Sequence, residues 1–269
     1  MRIAVGVEYD GTAYAGWQSQ ATADSIQAQV ERALGEVANH PVDVTCAGRT
    51  DAGVHALGQV AHFDTTAVRS SRGWVLGANT HLPDDIALNW AVTVPAEFHA
   101  RYSAAARSYR YVILNRPTRS ALARLRACLV HRALDAQAMH SAAQWLVGEH
   151  DFTSFRSAEC QSRTPVRRVD SIRVVRDGEF VIIDVTANAF LHHMVRNFAG
   201  ALLSVGLGEA APEWIRELVG LRDRTRAGVT APPQGLYLRT IEYPASLGLP
   251  GAVAADAGHS SMIRPYVMV

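Results

Sequence analysis

The sequence predicts an α+β fold of two related lobes, or one long sheet built from both. Three observations carry that reading. Each half of the chain opens on an alternating strand pattern. Each then offers three or four strands and two helices in similar order. That order lacks the regular strand–helix alternation of a Rossmann fold. The halves share no obvious sequence repeat, so the similarity rests on element order.

In the first half, Ile3 to Tyr9 alternates as a strand. Asp24-Ser25 can cap a helix running to about His40, with Ile26, Val30, Ala33, Leu34 and Val37 on one face and Pro41 marking the stop. Strands fit Val42 to Cys46, Val60 to Asp64 and Ile86 to Val94, with a short helix around Trp74 to Asn79. In the second half, Ser108 to Leu114 is a strand, and Asp135 to Val147 a helix with Met139, Ala142, Ala143 and Leu146 on one face. Val166 to Val175 and Glu179 to Thr186 read as a hairpin around Asp177-Gly178. Phe190 to Val205 reads as a helix, Pro212 opens another at about Glu213 to Leu218, and Leu236 to Tyr243 is a closing strand. We place the lobes at residues 1–104 and 105–244, followed by an Ala/Gly-rich tail at 245–269.

The 269 residues include 26 basic side chains, every one an arginine, against 25 acidic ones. A chain without lysine has no pyridoxal Schiff base, no phosphate loop of the lysine-bearing kind and no kinase strand lysine. The simplest source of that bias is genome composition. At 48% hydrophobic and 19% charged, the chain can bury a core and is not disordered. Charged residues and histidines interrupt every apolar run well before the ~18 residues of a membrane span. The first strand carries Glu8 and is unlike a secretory signal, so a cytoplasmic location is expected. Cys46, Cys128 and Cys160 are odd in number and scattered, which suits a reducing compartment and offers no metal knuckle.

The net charge of +1 hides a division. Residues 1–97 hold five arginines and eleven acids, a net of −6, and residues 98–269 hold 21 arginines and 14 acids, a net of +7. The densest stretch, 98–134, has Arg101, Arg107, Arg110, Arg116, Arg119, Arg124, Arg126 and Arg132 with no Asp or Glu, and Tyr102, Tyr109 and Tyr111 threaded through it. A second runs from Arg156 to Arg176. Uncompensated arginine with interleaved aromatics suits RNA, whose phosphates are clamped and whose unpaired bases stack; a solvated face of diffuse charge is the alternative.

The most unusual segment is Ala47 to Ala56, where Asp51 stands between Gly48 and Gly53, two residues after Arg49 and four before His55. Glycines let a ligand approach closely, and a guanidinium nearby favours an ionised carboxylate fit to act as nucleophile or base. An Asp in such a turn also serves as an Asx-turn or helix cap. Arg196, among apolar neighbours on a predicted core helix, needs an anionic partner, either a structural acid or a functional one. Tyr109 reads as a core aromatic unless its face opens into a cleft. His192-His193 suggests no metal site, since neighbours on a helix point apart and no Cys or carboxylate accompanies them at ligand spacing.

Taken together, these segments resemble the tRNA pseudouridine synthase A family. The match runs through Tyr9-Asp10-Gly11-Thr12, Gly16-Trp17-Gln18, Gly48 to Ala56, Gly58 to Phe63, Arg107 to Tyr111, Asp151 to Phe155, Phe190 to Asn197 and Ala231 to Leu238. The tail after Tyr243 and the missing lysines depart from it. The resemblance implies a pseudouridine synthase fold, in which two similar α/β lobes, joined through a mixed, mainly antiparallel sheet, flank a basic cleft. It implies an isomerase without cofactor or metal that converts uridine to pseudouridine in the anticodon stem-loop of tRNA, acting as a homodimer across which each tRNA lies. Carried over, Asp51 is the catalytic aspartate and Arg49 helps displace the target base. Tyr109 packs on the uracil, Arg196 pairs with the aspartate, and Leu236 is an apolar wall. Two other readings are a non-catalytic tRNA-binding module on the same scaffold and a small-molecule hydrolase using Asp51 and His55. The first leaves the carboxylate without a purpose, and the second leaves the arginines unexplained.

Overall fold

The computed structural model describes residues 1–250. From the N-terminus its elements are β1 (Arg2–Tyr9), α1 (Ile26–Ala38), β2 (Thr45–Cys46), β3 (His55–Asp64), α2 (Ser71–His81), β4 (Ile86–Val94), β5 (Ala106–Asn115), β6 (Cys128–Val130), α3 (Ala136–Ala143), β7 (Gly148–Asp151), β8 (Val166–Asp177), β9 (Phe180–Ala187), α4 (Met194–Gly206), α5 (Trp214–Leu221) and β10 (Leu236–Glu242). They form two compact units. One is Met1–Arg107 with the described residues from Tyr237 onward, and the other is Ser108–Leu236.

In the first unit the strand order is β4-β1-β3-β10, with β2 also on β3. β1 runs antiparallel to both neighbours, so Val5 lies opposite Ala61 of β3 and Ala91 of β4. β10 joins parallel, placing Tyr237 beside His55. α1 forms where the spacing predicts. Ser25 Oγ accepts from Ala28 N–H at 3.3 Å, and Asn39, in the left-handed region at φ 60°, ends the helix before Pro41. Ile26, Val30, Ala33 and Leu34 are buried as expected, while Ala38 rather than Val37 completes the buried face. α2 is longer than predicted because its cap, Ser70 on Gly73 N–H at 3.0 Å, precedes the apolar pattern. It buries Trp74 edge-on against Phe63 at 5.2 Å, a pair worth about 0.5–1.5 kcal/mol beyond its area.

The second unit has the order β5-β9-β8-β7, with β6 parallel on β5. The predicted hairpin is β8–β9, closed where Asp177 faces Phe180, with Gly178 at φ 59°. Asp135 caps α3 through Ala138 N–H at 2.9 Å, and α3 packs on β8 and α4. Phe152, Phe155 and Phe198 form a fully buried cluster with ring centroids 4.9–6.2 Å apart. Each such ring contributes about 1.5–3 kcal/mol of burial. The fold is thus α+β with mainly antiparallel strands, as the sequence predicts.

Several boundaries differ. The strand expected over Val42 to Cys46 shrinks to β2, while β3 begins at His55, because pairing to β1 and β10 overrides its glycine-rich look. The helix expected from Phe190 starts only at Met194, since His193 adopts φ 63°. The helix expected to Val147 ends at Ala143 in a short 3-10 turn. From residue 251 the tail lies outside the described residues. Among the described residues, no helix is long and apolar enough to cross a membrane.

Candidate active site

In the first unit, the segment from Ala47 to Val54 leaves β2 and enters β3 as a loop held by main-chain bonds. Its start is fixed by Ala47 N–H to Val60 O at 2.8 Å and by Gln59 Nε2, which donates to Gly48 O at 2.6 Å. At its centre Thr50 O accepts from Trp17 N–H at 3.0 Å, and Thr50 Oγ1 is 2.8 Å from the buried Tyr9 hydroxyl. Asp51 then opens a tight turn in which Val54 N–H donates to Asp51 O at 3.1 Å and Gly53 stands at φ 74°. Gly16, at φ 102°, lets the neighbouring chain press against this turn, since an added Cβ would sit 2.6 Å from Thr50 O. Asp51 is half-buried and Arg49 exposed.

His55 plays a part that sequence reasoning missed. It is buried under the loop, stacked on Tyr237 at 4.7 Å. Its Nδ1 lies 3.2 Å from Gly11 N–H and 3.0 Å from Asp10 Oδ1, so it accepts from the first in one tautomer and donates to the second in the other. Burial works to raise the Asp10 carboxyl, but hydrogen bonds from His55 and Thr12 outweigh it and hold the group below the usual carboxylate range. The pairing lies within Tyr9-Asp10-Gly11-Thr12, where Asp10 also accepts from Thr12 N–H at 3.0 Å and Thr12 Oγ1 at 2.5 Å. That motif signals the local Asp10 turn but not its partner His55.

In the second unit, Tyr109, Arg196 and Leu236 come from β5, the first turn of α4 and the start of β10. Tyr109 is nearly buried, edge-on to Phe190 at 5.0 Å. Half-buried Arg196 donates from Nε to Ala231 O at 2.9 Å, while Ala231 N–H donates back to Arg196 O at 3.1 Å. The Tyr111 hydroxyl donates to Pro232 O at 2.9 Å, and burial raises its pKa. The segment leading to the buried Leu236 is thus tied to both α4 and β5. His192 and His193 lie before α4, not on it, and their rings lie 3.9 Å apart, tilted by 32°, so the expectation that they point apart fails.

The arginine stretch is less uncompensated than its local sequence suggests. Arg110 is 4% exposed and makes a two-point ion pair with Asp184 at 2.5 and 2.7 Å. Arg116 pairs with Glu179 at 3.1 Å and Arg132 with Glu209 at 2.5 Å. Their acids lie more than 60 residues away in sequence. Arg101, Arg119, Arg124 and Arg126 remain exposed.

Known proteins resemble this chain along most of its length. A family model described as tRNA pseudouridine synthase matches residues 5–103 and 142–244. A tRNA pseudouridine synthase A from Methylococcus capsulatus is 58% identical over 249 residues, covering 93% of this chain and 92% of its own. Proteins of that name from Vibrio cholerae and Shewanella amazonensis are each 56% identical over 250 residues, covering 93% of this chain and 95% and 96% of their own. With both halves matched, the chain belongs to the tRNA pseudouridine synthase family.

Proposed function

We propose that this protein converts uridine to pseudouridine in the anticodon stem-loop of tRNA, with Asp51 as the catalytic group. The observation that carries the reading is the Asp51 turn itself: a half-buried Asp at the first position of a turn whose Thr50 O and Asp51 O accept from Trp17 and Val54 N–H and whose Gly53 N–H donates to Tyr14 O, with Arg49 exposed beside it. A loop so braced presents a carboxylate without reorganising, which is what nucleophilic or basic chemistry requires.

The target uridine must first leave its stack, at a cost of a few kcal/mol, and we assign Arg49 to displacing it. The C1′–N1 bond then breaks, the uracil turns while held, and C5 bonds to C1′. A proton leaves C5 and one is gained at N1, so atoms and electrons balance without an oxidant. Asp51 either attacks C1′ or removes the 2′ proton to open a glycal route. We assign the Tyr109 ring to the uracil face and its hydroxyl to the C5 proton, Arg196 to the countercharge of the aspartate, and Leu236 to an apolar wall. The reading takes the enzyme as a cytoplasmic homodimer whose reaction calls for no cofactor or metal.

The test is tritium release from tRNA labelled at uridine C5. Wild type releases it, and Asp51→Asn releases it at least about a thousandfold more slowly while still binding tRNA. Equal release from both removes Asp51 from the chemistry. Binding without release by either leaves a non-catalytic tRNA-binding module.

A further inference from the structure

Among the described residues, Tyr102 alone of the tyrosines is exposed, with 75% of its surface in solvent, and no role assigned above uses it. Its position is nevertheless fixed. His99 Nδ1 accepts from the backbone N–H groups of Arg101 at 3.2 Å and Tyr102 at 3.3 Å. Ser103 N–H donates to His99 O at 2.9 Å, and Ser103 Oγ accepts from His99 N–H at 3.0 Å. The Tyr102 ring packs against His99 with centroids 4.4 Å apart, and His99 leans on buried His62 at 4.9 Å. Burial, with the Arg2 charge nearby, lowers the His99 pKa, which keeps Nδ1 available as the acceptor. An exposed ring normally moves freely; this one rests against the His99 ring, and its backbone N–H is tied to His99 Nδ1.

Two further contacts show what such a ring would meet. The Arg101 guanidinium lies 5.5 Å from the Tyr102 centroid. Arg107 Nη2 donates to Arg101 O at 2.5 Å and to Ala47 O at 3.3 Å, so one side chain ties this turn to the start of the Asp51 loop. A preorganised aromatic beside an exposed guanidinium matches the chemistry of an unpaired nucleotide, whose base stacks and whose phosphate takes the cation.

We propose that Tyr102 is a stacking platform for an unpaired base of the tRNA, with Arg101 on the adjoining phosphate. The inference rests on the tRNA reading above and adds a binding site to it. The test measures equilibrium binding of an unmodified tRNA transcript to the full-length protein over a range of salt, together with kcat and KM, for wild type, Tyr102→Ala, Tyr102→Phe and Arg101→Gln. Tyr102→Ala is expected to weaken binding about tenfold, the worth of one stacked base, with the loss appearing in KM rather than kcat. Tyr102→Phe restores binding, because the ring and not the hydroxyl does the stacking. Arg101→Gln reduces the slope of log K against log salt by about 0.7–0.9, whereas Tyr102→Ala leaves the slope in place. Wild-type binding by Tyr102→Ala, or Tyr102→Phe as weak as Tyr102→Ala, overturns the proposal. So does a shift in sedimentation with Tyr102→Ala, which would mean the ring meets a second copy. If wild type neither binds nor converts tRNA, the functional reading falls and takes this one with it. If wild type converts tRNA and Tyr102→Ala is indistinguishable from it, only the stacking platform falls.

Discussion

The Asp51 loop of the first unit and the Tyr109–Arg196–Leu236 region of the second are built by opposite means. The loop is laced by main-chain groups: Trp17 to Thr50, Gly53 to Tyr14, Val54 to Asp51, with two glycines at positive φ around it. The second region is anchored by side chains: Arg110 on Asp184, Tyr111 on Pro232, Arg196 on Ala231. Backbone lacing holds a loop in shape without help from the side chain at its centre. Side-chain anchoring makes each anchor costly to change. The same arrangement explains why so many arginines of this chain do structural work.

The largest expected effect breaks the second region. Arg110→Met removes a cation that is 4% exposed from a carboxylate that is 17% exposed. Asp184 is then left nearly buried without its cation, and a one-sided deletion of this kind costs about 3–5 kcal/mol. Denaturant unfolding of the variant should show a midpoint lowered to match. A change below about 1 kcal/mol would mean the pair behaves as an exposed one and that the anchoring lies elsewhere.

The next effect breaks the first region through its backbone. Gly16→Ala demands φ near 102° of a residue with a Cβ and drives that atom to 2.6 Å from Thr50 O. Relief requires moving Gly16 or the Thr50–Asp51 peptide. We expect about 1–3 kcal/mol of lost stability. Because the displaced peptide carries Asp51, kcat should fall with it. Lost stability with unchanged kcat would show that the Asp51 turn holds its geometry without Gly16.

How much of this was legible in the sequence follows the same division. Local signals read well: Ser25 before an apolar stripe produced α1, and Asp177-Gly178 the β8–β9 hairpin. The family motifs marked the Asp51 loop. What failed were features set by distant partners. His193 at φ 63° delays α4, and no local residue announces it. β3 begins at His55 because two strands pair there. Arg110 looked uncompensated because its acid is 74 residues away. His55 was weighed as a catalytic partner, yet what fixes it is Asp10, across 45 residues of chain, a pairing that spacing does not reveal.

Asp10→Asn sharpens the comparison by separating charge from capping. Asn still accepts from Thr12 N–H, so the cap survives and only the ionised partner of His55 is lost. The expected cost near neutral pH is about 1 kcal/mol, the scale of one hydrogen bond strengthened by charge in a half-buried site. Its pH dependence identifies the source. The folded pKa of Asp10 lies below the ordinary carboxylate value, so its contribution is fully present above the unfolded pKa of about 3.9 and is lost as pH falls through the folded value. Wild type should therefore lose stability more steeply than Asp10→Asn below about pH 4, and the two unfolding curves should converge toward acid. Parallel curves across that range would mean that the carboxylate charge contributes nothing. The loop would then rest on its main-chain bonds with the Gln59 and Tyr9 side chains, and the contrast with the second region would be sharper.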